Sequence, residues 1–417
     1  MGSLFAELAR RATANARREV ESYVREIPEF GILDTDPRAM AQTLEYAVWL
    51  RRRTVELSPD NSELTDDDLS YISTMGERRA AAGMSLDARQ RVLRVHTALM
   101  LREINEATDA QRGGSVDELM RMMTWFAPQG ERGIGAYRQG FVTALRRRLP
   151  YADQVALLAR SLLAGDSMAA ELASGVDMNV SDYYAVTVFR VSGRPAVADP
   201  ALENEIEKLV KTHRVPVTWA PENDYESGEL IVLVPRPSDA GKTVPDRVPG
   251  PSDSTAPLQP DEPDVPALVQ DFAQALARPC AVGTATAPLA GLSDALERAR
   301  RISRAAPLSR PSARLRAHTV ADVFVELAVA DVPFVDDWLR TVACRLEDGP
   351  DLLLTLDAYY HHDMHRGATA TALNVHARTL DYRLRRVREL TGIAPGSTHG
   401  VRVLSAVVAR RLSGAWE

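Results

Sequence analysis

Residues 351–388 read DLLLTLDAYYHHDMHRGATATALNVHARTLDYRLRRVR, and three helical stripes follow one another within them. Leu352, Leu353, Leu356 and Tyr360 recur with a period near 3.6, then Ala368, Ala372 and Leu373 mark a short second helix. Asn374, Val375 and His376 form a tight connection to a third helix, whose Leu380, Leu384 and Val387 stand at i, i+4 and i+7. Two short helices joined by so few residues, the second of them basic, predict a helix-turn-helix whose second helix enters a DNA major groove. With the leucine stripe turned inward, the rotation of about 100° per residue carries Arg378, Tyr382 and Arg385 to the outer face. Thr379, Arg383 and Arg386 flank them. Guanidinium groups there suit guanine O6 and N7 or phosphates, and an early threonine hydroxyl suits a phosphate or a base edge. A solvated basic face explains the arginines alone equally well.

The order of residues goes further. ATATALNVHARTLDYRLRRVRELTG resembles the C-terminal domain of the PucR and CdaR group of bacterial transcriptional regulators, itself similar to the Fis-type helix-turn-helix. The family's A-x-x-L pattern falls on Ala370 to Leu373, and its H-R-N-T-L-x-Y-R-L motif on His376 to Leu384. Ala377 and Arg378 replace the usual Arg and Asn, so the base-reading positions depart from the family and no target sequence carries over. Asp381 would repel phosphate, and instead accepts from a cytosine amine or pairs with Arg385.

The chain of 417 residues is too long for one core and predicts two to four domains. A net charge of -7 and a pI near 5.7 argue against a protein coated in nucleic acid or spread on an anionic membrane. They leave room for a basic module on an acidic body. Two cysteines, Cys280 and Cys344, read as small buried hydrophobes. With no signal-like segment after Met1 and no apolar run of membrane length, they imply a reduced, cytoplasmic setting.

From Leu4 to about Ser174 apolar residues recur at helical spacing, with breaks near Pro59 to Asn61 and at Gly113-Gly114, which predicts a helical bundle. Arg17 to Val20, Ile27 to Phe30, Gly76 to Ala80 and Gly83 to Leu86 make it similar to the helical region of RsbR-type stress proteins, which implies sensing or partner binding. His96 reads as a structural histidine; Arg78 and Arg79 fit either solvent or an anionic effector.

Between about Asp177 and Ile302 the period changes. Tyr183 to Val191, Val215 to Trp219, Leu230 to Val234 and Ala281 to Ala285 read as strands, with helices at Ala201 to His213 and Gly291 to Ser303. Alternating strands and helices predict a sheet domain of α/β or α+β type. The order resembles the degenerate GGDEF-like domain that precedes the helix-turn-helix in PucR and CdaR regulators. At the signature turn the chain has Glu226-Ser227-Gly228-Glu229, with one glycine and no leading acid, and Ser192-Gly193-Arg194 stands where a second acid is expected. The resemblance therefore implies a scaffold without cyclase activity. Residues 235–266, rich in Pro, Ser, Gly and Asp, read as a disordered insertion. Gly241-Lys242-Thr243 lacks the upstream glycine and the following helix of a phosphate-binding loop. His361 and His365 have the i, i+4 spacing of zinc ligands, but only Asp363 is near, so they read as a charged loop.

The expected architecture is mainly α and multidomain. A helical sensory or interaction domain spans 1–174, a degenerate GGDEF-like α/β domain 177–304, a helical connector 305–346 and the helix-turn-helix domain 347–417. The expected function is sequence-specific binding of double-stranded promoter or operator DNA by a homodimer or higher homo-oligomer. Control comes through the upstream domains by a small-molecule or protein effector. His376, Arg378, Tyr382 and Arg385 are expected to contact bases, and Thr379, Arg383 and Arg386 phosphates. No catalytic residue, metal, cofactor or membrane contact is assigned. Two other classes fit the same sequence: a signalling adaptor acting through the N-terminal helices, and a nucleotide-binding GGDEF-type protein.

Overall fold

A computed structural model describes residues 4–34, 36–110, 116–191, 200–220, 228–237, 265–310 and 315–416. The chain divides into two compact units, Met1–Pro150 and Tyr151–Glu417. None of the described helices is long and apolar enough to cross a membrane.

The first unit is helical: α1 (Leu4–Glu26), a 3-10 turn (Pro28–Asp34), α2 (Pro37–Leu57), α3 (Asp66–Ala81), α4 (Leu86–Ala110) and α5 (Val116–Arg148). Local sequence sets several of these starts. Asp36 accepts from the amides of Arg38 and Ala39 ahead of α2, and Pro37 occupies the first turn, where its missing N–H costs nothing. Thr65 and Asp68 close a reciprocal capping box on α3. Helices α3 and α5 touch backbone to backbone. A Cβ at Gly76 would lie 2.2 Å from the Tyr137 carbonyl oxygen, and one at Gly140 1.9 Å from that of Ser73. Arg51 is buried between two acids, its Nη2 2.6 Å from Glu103 and its Nη1 against Glu19.

The second unit opens with α6 (Tyr151–Leu163) and α7 (Ala169–Gly175). The expected first boundary at 174 moves to Pro150, because α6 packs against the β2 edge of the sheet and on α8. The order is β1 (Tyr183–Val191), α8 (Pro200–His213), β2 (Val217–Trp219), β3 (Gly228–Arg236), α9 (Val265–Leu276), β4 (Cys280–Pro288) and α10 (Leu292–Ala305). The four strands pair in the order β2-β3-β1-β4, all neighbours antiparallel, a split βαβ arrangement. Successive side chains alternate faces, so Phe189 and Val188 point oppositely. Phe189 meets Phe272 of α9 at 6.0 Å between ring centres. On the Val188 side Gly283 lies under α10, where a Cβ would stand 2.4 Å from the backbone of Ala299 and Ser303. Helices on both faces explain why β1 and β3 are buried nearly throughout.

Of the expected insertion at 235–266, Pro235 and Arg236 end β3 and Val265 and Pro266 open α9. Residues 238–264 lie outside the described residues, as do Gly113-Gly114, Ser192 to Arg194, Glu226 and Ser227. Of the cysteines, Cys280 is buried, which pushes its thiol up to about 11, whereas Cys344 is exposed and departs from the expected buried role.

Beyond the sheet come α11 (Val320–Ala330), α12 (Pro333–Glu347), α13 (Leu352–His361), α14 (Arg366–Ala372), α15 (Ala377–Thr391) and α16 (Thr398–Leu412). The expected connector does not end at 346. Leu339, Val342, Ala343 and Leu346 of α12 share one core with Leu352, Leu356, Leu380, Leu384 and Val387, so the apolar stripes of these helices cover one another. Hydrogen bonds to backbone carbonyls join this bundle to the sheet domain: Leu308 N–H to Leu412 O at 2.9 Å, and the Arg190 side chain, through Nη2, to Ser413 O at 2.8 Å.

Replacing Gly140 by valine is expected to destabilise the first unit by about 3 kcal/mol, near the upper end for overpacking, because backbone must move. Calorimetry of the full chain checks this: the transition of the helical unit falls while the second unit's stays in place.

Candidate nucleic-acid interface

Helices α14 and α15 are joined through Leu373 to His376, with Asn374 in the left-handed region at φ 52°, a conformation asparagine tolerates better than most residues. Both helices begin on a histidine. His365 Nδ1 accepts from the Ala368 amide at 3.0 Å, and His376 Nδ1 accepts from the Arg378 amide at 3.2 Å. His376 therefore serves first as the N-cap of α15, with only its other ring nitrogen left for DNA. At the far end Gly392, at φ 77°, closes the helix by donating to the Arg388 carbonyl.

Burial sorts the remaining residues of α15. Leu380 and Val387 are fully buried and Leu384 nearly so, which turns Arg378, Tyr382 and Arg385 to solvent; the Tyr382 ring is 54% exposed. Among the described residues Arg378, Arg385 and Arg388 form no ion pair. Arg388 is a cation that the sequence analysis did not single out, although it follows Arg385 by three residues and so lies on a neighbouring ridge. Thr379 is exposed, and Arg386 is partly engaged by Glu389 at 3.2 Å.

Arg383 behaves differently from its neighbours. Its side chain is only 14% exposed, with Nη2 2.9 Å from Asp351 and Nη1 donating to Thr355 Oγ1 at 3.2 Å. The expected phosphate contact at Arg383 gives way to a brace between α15 and the start of α13. Asp381 also finds an unexpected partner. It pairs with Arg366 of α14 at 3.4 Å, where the sequence reading offered Arg385 or a cytosine. That pairing leaves Arg385 unneutralised.

A second clamp lies behind the helix. Arg410 of α16 donates to Asp336 of α12 at 2.8 Å, and Trp416 Nε1 donates to the other carboxylate oxygen at 3.1 Å. Burial pushes the Asp336 carboxyl upward, but these hydrogen bonds and the Arg410 charge outweigh it and hold it below the usual carboxylate range. Around His361 and His365, as elsewhere among the described residues, no three metal-binding side chains come together.

In the sheet domain, the acid that remains at the degenerate signature turn is already occupied. Glu229 is fully buried on β3, with Arg300 Nε of α10 at 2.8 Å and Arg304 Nη2 at 3.9 Å. The half-buried Arg300 would compete with a metal ion for this carboxylate, whose Oε1 accepts no hydrogen bond among the described residues.

Comparison with known proteins agrees with these three regions. Residues 7–149 match the N-terminal domain of the RsbT co-antagonist protein RsbRD, residues 160–305 a GGDEF-like domain, and residues 352–409 the PucR C-terminal helix-turn-helix domain. The chain has the domain set of a PucR-type regulator. The PucR-type helix-turn-helix match runs from α13 into α16, so it takes in the buried stripe, Arg383 and the exposed arginines together. No curated protein matches the chain. A solved structure, the regulator of polyketide synthase expression from Bifidobacterium adolescentis, is similar at 18% identity over 65% of this chain and 97% of that one. Its TM-score of 0.27 is too low to bear on the arrangement of this chain.

Arg383→Ala is expected to cost the PucR-type domain about 1 kcal/mol, through loss of a partly buried charged hydrogen bond. Arg378→Ala and Arg385→Ala should stay within about 0.5 kcal/mol of the parent. Hydrogen exchange of α15 amides in the full chain checks the split: protection falls for Arg383→Ala alone.

Proposed function

We propose that this DNA-binding regulator reads a specific promoter or operator sequence as a homodimer or higher homo-oligomer. It works in the cytoplasm, and its upstream domains, acted on by a small-molecule or protein effector, set its DNA affinity. The observation that carries the reading is the outer face of α15, where Arg378, Tyr382 and Arg385 stand exposed, with no acidic partner for either arginine among the described residues. Arg378 and Arg385 read bases with Tyr382. Thr379, Arg386 and the free nitrogen of His376 hold phosphates, and Arg383 fixes the angle at which the helix is presented.

One such helix reads only a few base pairs, so specificity calls for paired modules. Support for self-association comes from α11 and α12. Val320 and Phe324 of α11, and Phe334 and Trp338 of α12, are large apolar side chains left exposed at i, i+4 spacing. Such exposure is unusual on a monomer surface. The sheet domain acts as a scaffold, with the Glu229 carboxylate committed to Arg300.

Hydroxyl-radical footprinting of the full chain on DNA from its own promoter region tests this. Two protected half-sites centred about one helical turn apart, or a multiple of it, are expected. A lone protected site, or protection spread without regard to sequence, contradicts the paired reading.

A further inference from the structure

The first unit contains a cavity of about 350 Å³, within the range of small-molecule sites, with wall residues from α1, α2, α3, α4 and α5. Its apolar wall includes Leu50, Leu64, Ile72, Val92, Met100 and Trp125. Arg79, Arg138, Glu131 and His96 also line it, and of these only Arg79 is buried. Arg79 of α3 is buried, and its guanidinium carbon lies 5.4–5.8 Å from the ring centres of Phe30, Tyr137, Tyr23 and Tyr46. Its one hydrogen bond to a side chain is a long one, Nη1 to the Tyr137 hydroxyl at 3.5 Å.

Arg51, Glu19 and Glu103, also buried in this unit, are paired. Arg51 lies against Glu19 and Glu103, and Glu19 also receives the Tyr23 hydroxyl and His96 Nδ1 at 2.8 Å. Glu19 is thus fully committed. Arg79 forms no ion pair among the described residues, so the protein's only offset for its charge is the π faces around it. Burying a permanent cation without a counter-ion is costly, and aromatic faces return only part of that cost. A guanidinium in an apolar cavity, with donors to spare, has the chemistry of a carboxylate receptor.

We propose that this cavity binds a small organic monocarboxylate with an apolar body, the carboxylate on Arg79 and the body against Met100, Ile72 and Trp125. One unpaired guanidinium accounts for one negative charge, and the surrounding wall for the rest of the ligand. Use of this ligand as the effector that sets DNA affinity rests on the regulatory reading above; the binding itself does not.

The test needs no DNA. Isothermal titration of the full chain with 4-phenylbutanoate is set beside its neutral amide, 4-phenylbutanamide, and repeated on Arg79→Met and Thr97→Phe. Thr97 also lines the cavity, and phenylalanine there takes up part of it without adding or removing a charge. The carboxylate is expected to bind the parent about tenfold or more tightly than the amide, the loss of one charge-assisted contact. Arg79→Met should remove that preference, and Thr97→Phe should weaken binding of both compounds with helicity retained. If Arg79→Met fails to fold, the amide comparison and Thr97→Phe decide. No binding to the parent, equal binding of acid and amide, or binding undiminished in Thr97→Phe overturns the proposal. A chain that binds the carboxylate but no DNA leaves the cavity assignment standing and removes the regulatory reading.

Discussion

An α-helix of fifteen residues can bury only one stripe of its surface, and in α15 that stripe is Leu380, Leu384 and Val387. What the helix offers to a partner follows from this geometry. Measured from Leu380, Arg378 and Arg385 lie about 140–160° round the axis and Tyr382 about 200°, facing away from the core. Arg383 lies only about 60° from the stripe, close enough to bend back over α13. Apolar burial thus decides which arginine is structural and which are free.

Charge obeys a related rule through much of the molecule. Where a charged group is withdrawn from water it finds an opposite partner: Glu229 with Arg300, Asp336 with Arg410, Arg51 with two glutamates. Each pair also joins two elements, sheet to α10, α12 to α16, and α2 to α1 and α4. Breaking one would leave the other charge stranded, so the pairs fix how elements meet even where they add little net stability. Arg79 departs from the rule inside the protein, and the unpaired arginines of α15 stand outside it on the surface. These are the places where a ligand or partner completes the electrostatics.

Much of this was legible in the sequence because it depends on short-range periodicity. The helix-turn-helix could be located from Leu380, Leu384 and Val387 and a three-residue connection, and the strands from runs such as Tyr183 to Val191. Features set by distant partners were not legible. Asp351 lies 32 residues from Arg383, and Tyr137 lies 58 from Arg79. The rotation of about 100° per residue already separated Arg383 from Arg378, however, and weighing it more strictly would have moved Arg383 inward. Helix α9 was also readable in Leu268, Phe272 and Leu276 at i, i+4, i+8, but it follows directly on a proline-rich stretch whose composition dominated the reading. The boundary at Pro150 could not be found locally, because α6 is as helical as the bundle before it and only its packing assigns it to the sheet.

The most direct test of the account is equilibrium binding to promoter DNA and to non-specific DNA across a salt series, for the parent, Arg378→Ala, Arg385→Ala and Arg386→Ala. The account predicts that the first two substitutions lose about 1–3 kcal/mol on the promoter and little on non-specific DNA. Arg386→Ala should weaken both alike and lower the salt slope by about one counter-ion. Equal effects of all three on both DNAs, or no effect of any, would contradict the claim that the outer face of α15 reads sequence.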